Sequence, residues 1–464
     1  MAGGVMKRMM TTHLIKIADL PLVIRRYTYL LQFHNQEYKH MPRSNFRLIA
    51  IFIISVLLSS TIAAADLSRS SPEELGMSSE RLGWLDTVLN SYVEENLIAG
   101  QVLLVLRKGR IAHSLANGMR DIEATDPMKE DTIFRIASQT KALVSTGIMI
   151  LHERGQLDIS HPLSRYIPEW ENVQVAVPNE NGSYNLEPVE RPITLRHLLT
   201  HTAGMSYGTG PASREWEEAD FQGWYFANKT ETIGESIARM ASLPLDAHPG
   251  TAWIYGYNTD ILGAVIEKAS GMDLNNFLQQ EIFAPLEMRD SHFYLPENKR
   301  DRLAVVYQPK IGGGIQAIPA TDGMRSQGLY IDGPRISYSG GAGLLSTAND
   351  YARFLQMTLN GGELDGKRIL SRKTIELMTT NHLGDLPFRS GQGFGLGFSI
   401  VTDLGERGTL GSVGEYGWGG AYHSTYWVDP LEELVVVYLT QIIPATGLDD
   451  YAKLRSGVYQ AIID

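Results

Sequence analysis

Strand patterns at the two ends of the chain constrain the fold more than any other feature. Residues 99–106 and 111–115 are predicted to be two strands joined by a tight turn at Lys108-Gly109. Strand patterns return after residue 391, in the runs 394–401, 422–428 and 434–439. We therefore predict that the first and last segments share one antiparallel sheet, because short turns join several of these runs.

Helical spacing of apolar residues predicts helices around and between these strands. The first covers residues 78–97 and the last covers residues 449–463. Between the two groups of strands, further helices are predicted at 138–154, 194–200, 231–242, 259–270, 347–360 and 371–379. The chain is thus predicted to be α+β, with an antiparallel sheet from about 98–118 and 391–441 and a helical lobe at about 138–390.

Residues 41–65 have the features of a secretory signal peptide. The apolar stretch 48–58 follows Arg43 and Arg47, and Ala63-Ala64-Ala65 forms an Ala-x-Ala cleavage site. An uncleaved membrane anchor is the alternative, although the stretch is short for a span. We expect export to the periplasm or the extracellular space.

The mature domain is expected to cover residues 66–464, without membrane association once the signal is removed. Met41 stands directly before the signal, so we expect translation to start there, and residues 1–40 are left unassigned. The formal net charge of the chain is -11, which argues against nucleic acid or anionic lipid as a partner. The absence of cysteine excludes disulfides, cysteine nucleophiles and thiolate metal sites.

Ser138 and Lys141 are the strongest candidates for catalysis. Positions i and i+3 share a helix face, so a lysine amine can reach the serine hydroxyl across one turn and act as its base. About one Ser-x-x-Lys is expected by chance in a chain of this length, and an N-cap serine followed by a solvated lysine is the alternative. The apolar run that follows, up to Gly155, favours the catalytic interpretation, because it places Ser138 at a helix N-terminus where the dipole stabilises an oxyanion.

Tyr255 and Asp260 are candidates in a second segment. Tyr255 lies just before the predicted helix 259–270, where its phenol could relay a proton between Ser138 and a leaving group. Its alternative role is that of an amphipathic packing tyrosine. Asp260 could pair with Lys141 or simply begin the helix.

Five segments in a fixed order link the chain to a known family. From about residue 75 to 464, it resembles the serine beta-lactamase and penicillin-binding-protein superfamily, on the branch of class C beta-lactamases, and is closest in motifs to family VIII carboxylesterases. The segments are Ser138-Gln-Thr-Lys141, His201-Thr-Ala-Gly204, Tyr255-x-x-x-x-Asp-x-Leu-Gly263, Gly340-Gly-Ala-Gly-Leu-Leu-Ser346, and Trp418-Gly-Gly420 ahead of Trp427-Val-Asp-Pro430.

The resemblance implies both a fold and a set of roles. The fold would be beta-lactamase/transpeptidase-like, with a sheet of five or more antiparallel strands flanked by helices and an all-helical lobe. Ser138 would be the nucleophile, Lys141 and Tyr255 would handle the proton, and the backbone N–H groups of Ser138 and Ala421 would form the oxyanion hole.

Departures from the family pattern bear on the substrate. Trp418-Gly419-Gly420 stands where related lactamases and peptidases usually carry Lys-Thr-Gly, so the lysine that attracts a substrate carboxylate is absent. An indole adds apolar contact without charge, which favours an uncharged acyl group. Packing is the alternative role of Trp418. His423 is a further candidate to line the pocket, with a surface strand position as its alternative.

Two other motifs are weaker. Ser206, in Gly204-Met-Ser-Tyr-Gly208, fits the Gly-x-Ser-x-Gly pattern but lacks the strand before it that a nucleophile elbow requires. His197 and His201 are four residues apart, yet Leu198 replaces the glutamate of His-Glu-x-x-His and no third ligand is evident. We expect no metal and no cofactor.

The sequence therefore predicts an exported serine hydrolase that forms an acyl-enzyme, most simply a carboxylesterase on short-chain esters. The substrate would be a small-molecule ester or amide. One alternative is a beta-lactamase or D-amino-acid peptidase acting on cell-wall fragments or drugs. A non-enzymatic alternative is a penicillin-binding or sensing module that is acylated without turnover.

Overall fold

The computed structural model describes residues 67–319 and 328–464. The predicted signal segment 41–65 and residues 1–40 lie outside the described residues. None of the helices in residues 67–319 and 328–464 is both long and apolar enough to cross a lipid bilayer.

The strands follow one another in this order: β1 (Gly100–Arg107), β2 (Arg110–Asp121), β3 (Asp126–Pro127), β4 (Phe134–Arg135), β5 (Gln174–Pro178), β6 (Tyr184–Pro188), β7 (Tyr307–Pro309), β8 (Ile315–Ala317), β9 (Leu345–Ser346), β10 (Glu363–Leu364), β11 (Lys367–Arg368), β12 (Gln392–Phe394), β13 (Ser399–Val401), β14 (Tyr416–Gly420), β15 (Ser424–Asp429) and β16 (Leu434–Leu439).

The α-helices are α1 (Ser79–Glu94), α2 (Thr140–Glu153), α3 (Leu195–Leu199), α4 (Ser213–Glu218), α5 (Ile233–Met240), α6 (Asn258–Ser270), α7 (Leu274–Leu278), α8 (Leu329–Asp332), α9 (Ala348–Leu359), α10 (Arg372–Met378), α11 (Leu404–Arg407) and α12 (Asp450–Gln460).

One eight-stranded antiparallel sheet combines both ends of the chain, in the order β12-β13-β14-β15-β16-β1-β2-β3. The two groups of strands meet at the β1–β16 pair, where Val102 lies opposite Leu439 and Arg107 opposite Leu434. This pairing confirms the predicted sheet and the α+β class. Every residue of β1 and β16 is buried, because helices cover both faces of the sheet.

Alternation along β1 sends its side chains to two different cores. Leu103 and Val105 pack with leucines of α1 and with α12, whereas Val102 and Leu104 belong to the larger core that includes α2 and α9. In α1, the residues that face the sheet are Leu82, Leu85 and Leu89, which recur at the three- and four-residue spacing of one helix face.

The run 394–401, predicted as one strand, folds as the two short strands β12 and β13, so that prediction is wrong. Phe394 pairs with Ser399, and the N–H of Gly395 donates to the carbonyl of Phe398 at 2.7 Å. Gly397 has φ of 97°, a conformation that glycine adopts without a steric penalty. Gly395 and Gly397 therefore allow the chain to turn back at a place where the alternation of apolar residues predicted one continuous strand.

Helix α2 is buried from Thr140 to Leu151, so it runs through the core with apolar neighbours on all sides. Strands β4 and β9 pair just before it, with Phe134 opposite Ser346. This pairing holds the segment 340–346 against the residues that lead into α2. The motif of Ser138 and the glycine-rich motif are thereby brought together although about 200 residues separate them in sequence.

Candidate active site

Ser138 lies in a single 3-10 turn, Ala137–Gln139, that leads directly into α2. Ala137 has φ of 43°, a left-handed conformation that costs roughly 1–3 kcal/mol for a residue with a side chain. The N–H of Ile136 donates to the carbonyl of Leu344 at 3.1 Å, which anchors the residue before the turn. The surrounding structure thus fixes Ser138 just ahead of the helix, and α2 begins two residues later than predicted.

Lys141 is buried in the first turn of α2, and its side chain reaches back to Ser138. Its Nζ donates to the Oγ of Ser138 at 3.2 Å, to the hydroxyl of Tyr207 at 3.0 Å and to the carbonyl of Gly341 at 2.7 Å. These contacts use all three N–H groups of an ammonium. Once neutral, the amine keeps the N–H bond to Gly341, and either hydroxyl can donate to its lone pair. Lys141 is therefore placed to exchange a proton with Ser138 without moving.

Asp260 lies in the first turn of α6 and is joined to Lys141 through the backbone N–H and carbonyl of Gly341. Its Oδ1 accepts the N–H of Gly341 at 2.9 Å and the hydroxyl of Ser339 at 2.6 Å. Burial raises the pKa of Asp260, while the Ser339 hydrogen bond and the charge of Lys141 oppose that rise. Asp260 thus lies in the first turn of the helix and also acts electrostatically on Lys141. It is not among the residues that line the cavity.

Gly341 has no room for a side chain. A Cβ at this position would lie 2.3 Å from the Oδ2 of Asp260. Because the Gly341 carbonyl contacts Lys141 and its N–H contacts Asp260, the close approach sets the distance between the two charged groups. The glycine-rich segment that the sequence singled out therefore supports the catalytic lysine.

Tyr255 lies in the loop that precedes α6 and faces Lys141 with its ring. The Nζ of Lys141 is 4.5 Å from the centre of this ring, a distance typical of a cation–π contact. The Tyr255 hydroxyl accepts the indole N–H of Trp418 at 3.0 Å. The structure thus brings Ser138, Lys141, Tyr255 and Trp418 into one site.

Tyr207 is a site residue that the sequence interpretation missed. It lies in the segment considered only for its Gly-x-Ser-x-Gly pattern, yet its hydroxyl contacts Lys141 directly. Burial, and to a smaller extent Tyr255, raises the pKa of Tyr207 well above its ordinary value. The phenol therefore stays protonated at neutral pH and can serve Lys141 only as a hydrogen-bond donor or acceptor.

The end of β14 packs against the turn that carries Ser138. A Cβ at Gly420 would lie 2.5 Å from the carbonyl oxygen of Ile136, so the two backbones meet closely at this point. Ala421 follows directly and lines the same cavity as Ser138. This placement suits the predicted oxyanion role of the N–H groups of Ser138 and Ala421, which remains a prediction.

A cavity of about 510 Å³ opens above Ser138. Its wall beside Ser138 is aromatic, which excludes water from apolar substrate groups. Trp418, Gly419 and Gly420, the predicted substrate-binding residues, are part of this lining. Further residues of the lining are Tyr207, Tyr255, Arg389, Arg407, Glu415, Ala421 and Arg455.

His423 is not among the residues that line this cavity. Its Nε2–H donates to Asp450 at 2.7 Å, and its ring stacks on Tyr451 with the ring centres 4.1 Å apart. These contacts tie the β14–β15 turn to α12. His423 therefore has a structural position, and its predicted place in the pocket is not supported by the geometry.

The weaker motifs have structural explanations. Ser206 lies in a loop, where its Oγ accepts the N–H of Thr209 at 3.1 Å. His197 takes part in the N-terminal capping box of α3 with Thr194. Within residues 67–319 and 328–464, no three His, Asp or Glu side chains are grouped in a way that could hold a metal ion.

His201 packs beside the site, with its ring 4.8 Å from that of Tyr255. Its Nδ1 accepts the side-chain amide of Asn258 at 3.0 Å. Burial, followed by the charge of Lys141, lowers the pKa of His201 well below its ordinary value. The imidazole is therefore neutral and holds the loop of Tyr255 by packing and hydrogen bonding.

A family model described as beta-lactamase matches residues 85–456. This range contains all five segments identified in the sequence and every residue of the candidate site.

Two curated proteins and one solved structure are among the most similar. A protein of Mycobacterium tuberculosis (strain ATCC 25618 / H37Rv) is 32% identical over 384 residues, which cover 78% of this chain and 90% of that protein. Esterase EstB of Burkholderia gladioli is 32% identical over 373 residues, which cover 77% of this chain and 89% of EstB. The structure of EstCE1, a hydrolase with promiscuous acyltransferase activity, matches with a TM-score of 0.69 and 26% identity over 82% of this chain and 99% of EstCE1.

Proposed function

The chain belongs to the beta-lactamase family of serine hydrolases, and from this premise we propose that it is a carboxylesterase that forms an acyl-enzyme on Ser138. One observation carries the proposal. The Oγ of Ser138 lies 3.2 Å from the Nζ of Lys141 at the wall of a cavity, so a nucleophile and its base are assembled where a substrate can enter.

Acylation would proceed from these contacts. Ser138 Oγ forms a bond to the ester carbonyl carbon while its proton moves to Lys141. The carbonyl oxygen becomes an oxyanion held by the N–H groups of Ser138 and Ala421. As the carbon–oxygen bond to the alcohol breaks, the proton passes to the alcohol oxygen, with Tyr255 as the final donor. An alcohol leaves, and the acyl group stays on Ser138.

Deacylation would reverse these roles with water. Water attacks the acyl carbon, gives its proton to the same lysine and tyrosine pair, and releases the acid as Ser138 regains its proton. Tyr207 would hold Lys141 during both steps, because its hydroxyl contacts the amine and stays protonated.

Ester substrates are favoured by the wall beside Tyr255. Trp418 takes the place at which related lactamases and peptidases usually carry a lysine, and its indole N–H is engaged by Tyr255. Esterase activity is named for EstB, which is 32% identical to this chain. We propose short-chain esters with an uncharged acyl group, since an indole offers contact area without charge.

Transfer of the acyl group is a second candidate, supported by the similarity to EstCE1, which is described as having promiscuous acyltransferase activity. An alcohol in place of water would attack the acyl-enzyme and yield a new ester. The same residues would act, and only the identity of the acceptor would differ.

Export is proposed on the signal-like residues 41–65. Expression of the full chain in a bacterial host, followed by cell fractionation and mass determination, tests it. An exported protein whose first residue is Asp66 is expected. An intact chain confined to the cytoplasm would overturn the proposal.

Turnover of p-nitrophenyl butyrate and nitrocefin by the purified protein tests the catalytic proposal. We expect fast ester cleavage that is lost in Ser138→Ala and kept in Ser206→Ala. Ser206 is the matched control because it is the serine of the Gly-x-Ser-x-Gly pattern and lies in a loop of the same protein. A much faster turnover of nitrocefin would establish the beta-lactamase alternative. A stable acyl adduct on Ser138 without turnover would indicate a sensing module. Appearance of a butyrate ester when an alcohol is added would identify acyl transfer.

A further inference from the structure

Arg389 places a positive charge in the cavity that the sequence did not predict. Arg389 lies in the loop 379–391 between α10 and β12 and is exposed when all its atoms are considered. Its guanidinium, however, lies over the ring of Trp418 at 4.8 Å and near that of Phe388 at 5.3 Å. Arg389 is part of the cavity lining together with Ser138 and Tyr255.

The other arginines of this cavity have an acidic partner. Arg407 contacts Glu415 at 3.0 Å, and Arg455 contacts the same carboxylate at 2.6 Å. Within residues 67–319 and 328–464, no Asp or Glu carboxylate lies within ion-pair distance of the Arg389 guanidinium. Arg455 also lies over the ring of Trp427, at 4.7 Å, but it has Glu415 as a partner. Among the arginines that line the cavity in the described residues, Arg389 is therefore the one that contacts aromatic rings without a carboxylate beside it.

Contact with aromatic rings meets the hydrogen-bonding requirement of a guanidinium only in part. Burial against them lowers the pKa of Arg389, and Tyr255 opposes that effect. A cation–π contact engages the face of the guanidinium and leaves the N–H groups at its edge available to acceptors. A carboxylate, which accepts two parallel N–H bonds from arginine, is the group that best completes this arrangement.

The position of Arg389 also indicates which part of a substrate it faces. Tyr255 is the proposed proton donor to the leaving alcohol, and its hydroxyl accepts the N–H of Trp418. Arg389 lies against the same indole. The cavity wall therefore runs from Tyr255 through Trp418 to Arg389. An ester whose leaving oxygen lies at Tyr255 would extend its alcohol part toward Arg389.

We propose that Arg389 binds a carboxylate on the alcohol part of the substrate, so that the protein prefers esters of short uncharged acids with carboxylate-bearing alcohols. This inference rests on the proposed esterase function and names its substrate class. The cation that is missing at position 418 is thereby supplied from a different element, on the loop 379–391.

Two acetate esters that differ mainly in charge test the proposal. In 4-acetoxybenzoate the leaving phenol carries a carboxylate, and in 4-acetoxybenzamide it carries a neutral amide. The wild-type protein is expected to show a higher kcat/KM for the carboxylate ester. Arg389→Gln should lower the ratio of the two kcat/KM values by roughly tenfold, as loss of a charge-assisted contact does, and because both esters are assayed on the same variant the ratio cancels any effect common to both.

Two further variants keep the test decisive. Lys373→Gln removes one positive charge from the exposed face of α10, where Lys373 pairs with Glu376, and it should leave the ratio unchanged. Arg389→Lys keeps the charge and should retain part of the preference. An equal ratio in the wild-type protein and Arg389→Gln would overturn the proposal.

Failure of the esterase function would be seen separately. If the wild-type protein hydrolysed neither acetate faster than Ser138→Ala, the proposed function would fail. The anion site would then be tested by calorimetric titration with 4-hydroxybenzoate and 4-hydroxybenzamide. Tighter binding of the acid that is lost in Arg389→Gln would support the site alone, and equal binding of both compounds would overturn it.

Discussion

Trp418 donates its indole N–H to the hydroxyl oxygen of Tyr255 across 3.0 Å. The hydrogen bond occupies one lone pair of the phenol and directs its O–H away from the indole. It thereby links strand β14 to the loop of the proposed proton donor. The aromatic contact of the two rings, 5.4 Å apart, holds both in place.

Trp418→Phe should lower kcat for p-nitrophenyl butyrate by roughly three- to tenfold, because it removes one neutral hydrogen bond, worth about 1 kcal/mol, and keeps most of the apolar wall. KM should change little. Steady-state kinetics of the purified variant provide the measurement.

Trp84→Phe is the control for loss of an indole, since Trp84 is exposed on α1. Its kcat and KM for p-nitrophenyl butyrate should equal those of the wild-type protein. If Trp418→Phe also retained full kcat, the hydrogen bond to Tyr255 would have no catalytic role.

The two tyrosines next to Lys141 should differ in their effect. Tyr255→Phe should lower kcat by at least about a hundredfold, as expected for the loss of a proton donor. Tyr207→Phe should cost only roughly tenfold, since it removes a hydrogen bond that holds Lys141. Steady-state assays of both variants compare the effects. The reverse order would mean that the proton passes through Tyr207.

Loss of the Asp260 carboxylate should destabilise the protein as well as the site. Asp260→Ala leaves the buried Ser339 hydroxyl and Gly341 N–H without their acceptor, which should lower the free energy of unfolding by roughly 2–5 kcal/mol. Asp260→Asn keeps an oxygen acceptor and should cost less. Denaturant unfolding of both variants measures the difference. Equal stability of Asp260→Ala and the wild-type protein would contradict the assigned role.

The parts of the molecule that depend on neighbours in sequence were predictable. Ser138 and Lys141 are three residues apart, so the 3-10 turn and the first turn of α2 bring them together within one short segment of chain. The sheet was predictable in outline because β1 and β16 are apolar and rich in strand-forming residues. Strand β14 escaped the strand pattern, since the glycines of Tyr416–Gly420 have low strand propensity and interrupt alternation.

Contacts between distant segments were not predictable in this way. Tyr207 reaches Lys141 across 66 residues of chain, and Arg389 meets Trp418 from a loop without a recognisable motif. No local pattern specifies which loop residue will face a cavity, because tertiary packing decides it. The Tyr207 segment did carry a signal, since it directly follows His201-Thr-Ala-Gly204, but its serine drew the interpretation instead of its tyrosine.

Stability should fall in mild acid because His201 is held neutral. Its pKa in the folded state is well below 6.5, the ordinary value that it regains on unfolding. Below pH 6.5 the unfolded chain therefore binds a proton that the folded protein does not, which should cost about 1 kcal/mol per pH unit until the lowered pKa is reached. Unfolding free energies of the wild-type protein and His201→Gln, measured from pH 8 to pH 5, test this.

The free energy of unfolding of His201→Gln should fall less steeply than that of the wild-type protein between pH 6.5 and pH 5. The comparison does not depend on the stability of the variant at pH 8, because there His201 is unprotonated in both the folded and the unfolded wild-type protein. Parallel pH profiles would show that His201 does not contribute to acid sensitivity. The half-buried His292, whose pKa burial lowers to about 4, adds to the slope in the same way.

Gly420→Ala should abolish most activity without unfolding the protein. The added Cβ would lie 2.5 Å from the carbonyl oxygen of Ile136 and 2.5 Å from the Oγ of Ser424, so the end of β14 must move away from the turn of Ser138. A displacement of this kind shifts the N–H of Ala421 relative to the oxyanion, and loss of an oxyanion donor costs about 10²–10³ in kcat. Gly83→Ala is the matched control, because a Cβ there meets nothing within 4 Å and alanine favours the helix α1. Assays of p-nitrophenyl butyrate hydrolysis should show wild-type rates for Gly83→Ala, and full activity of Gly420→Ala would exclude Ala421 from the oxyanion hole.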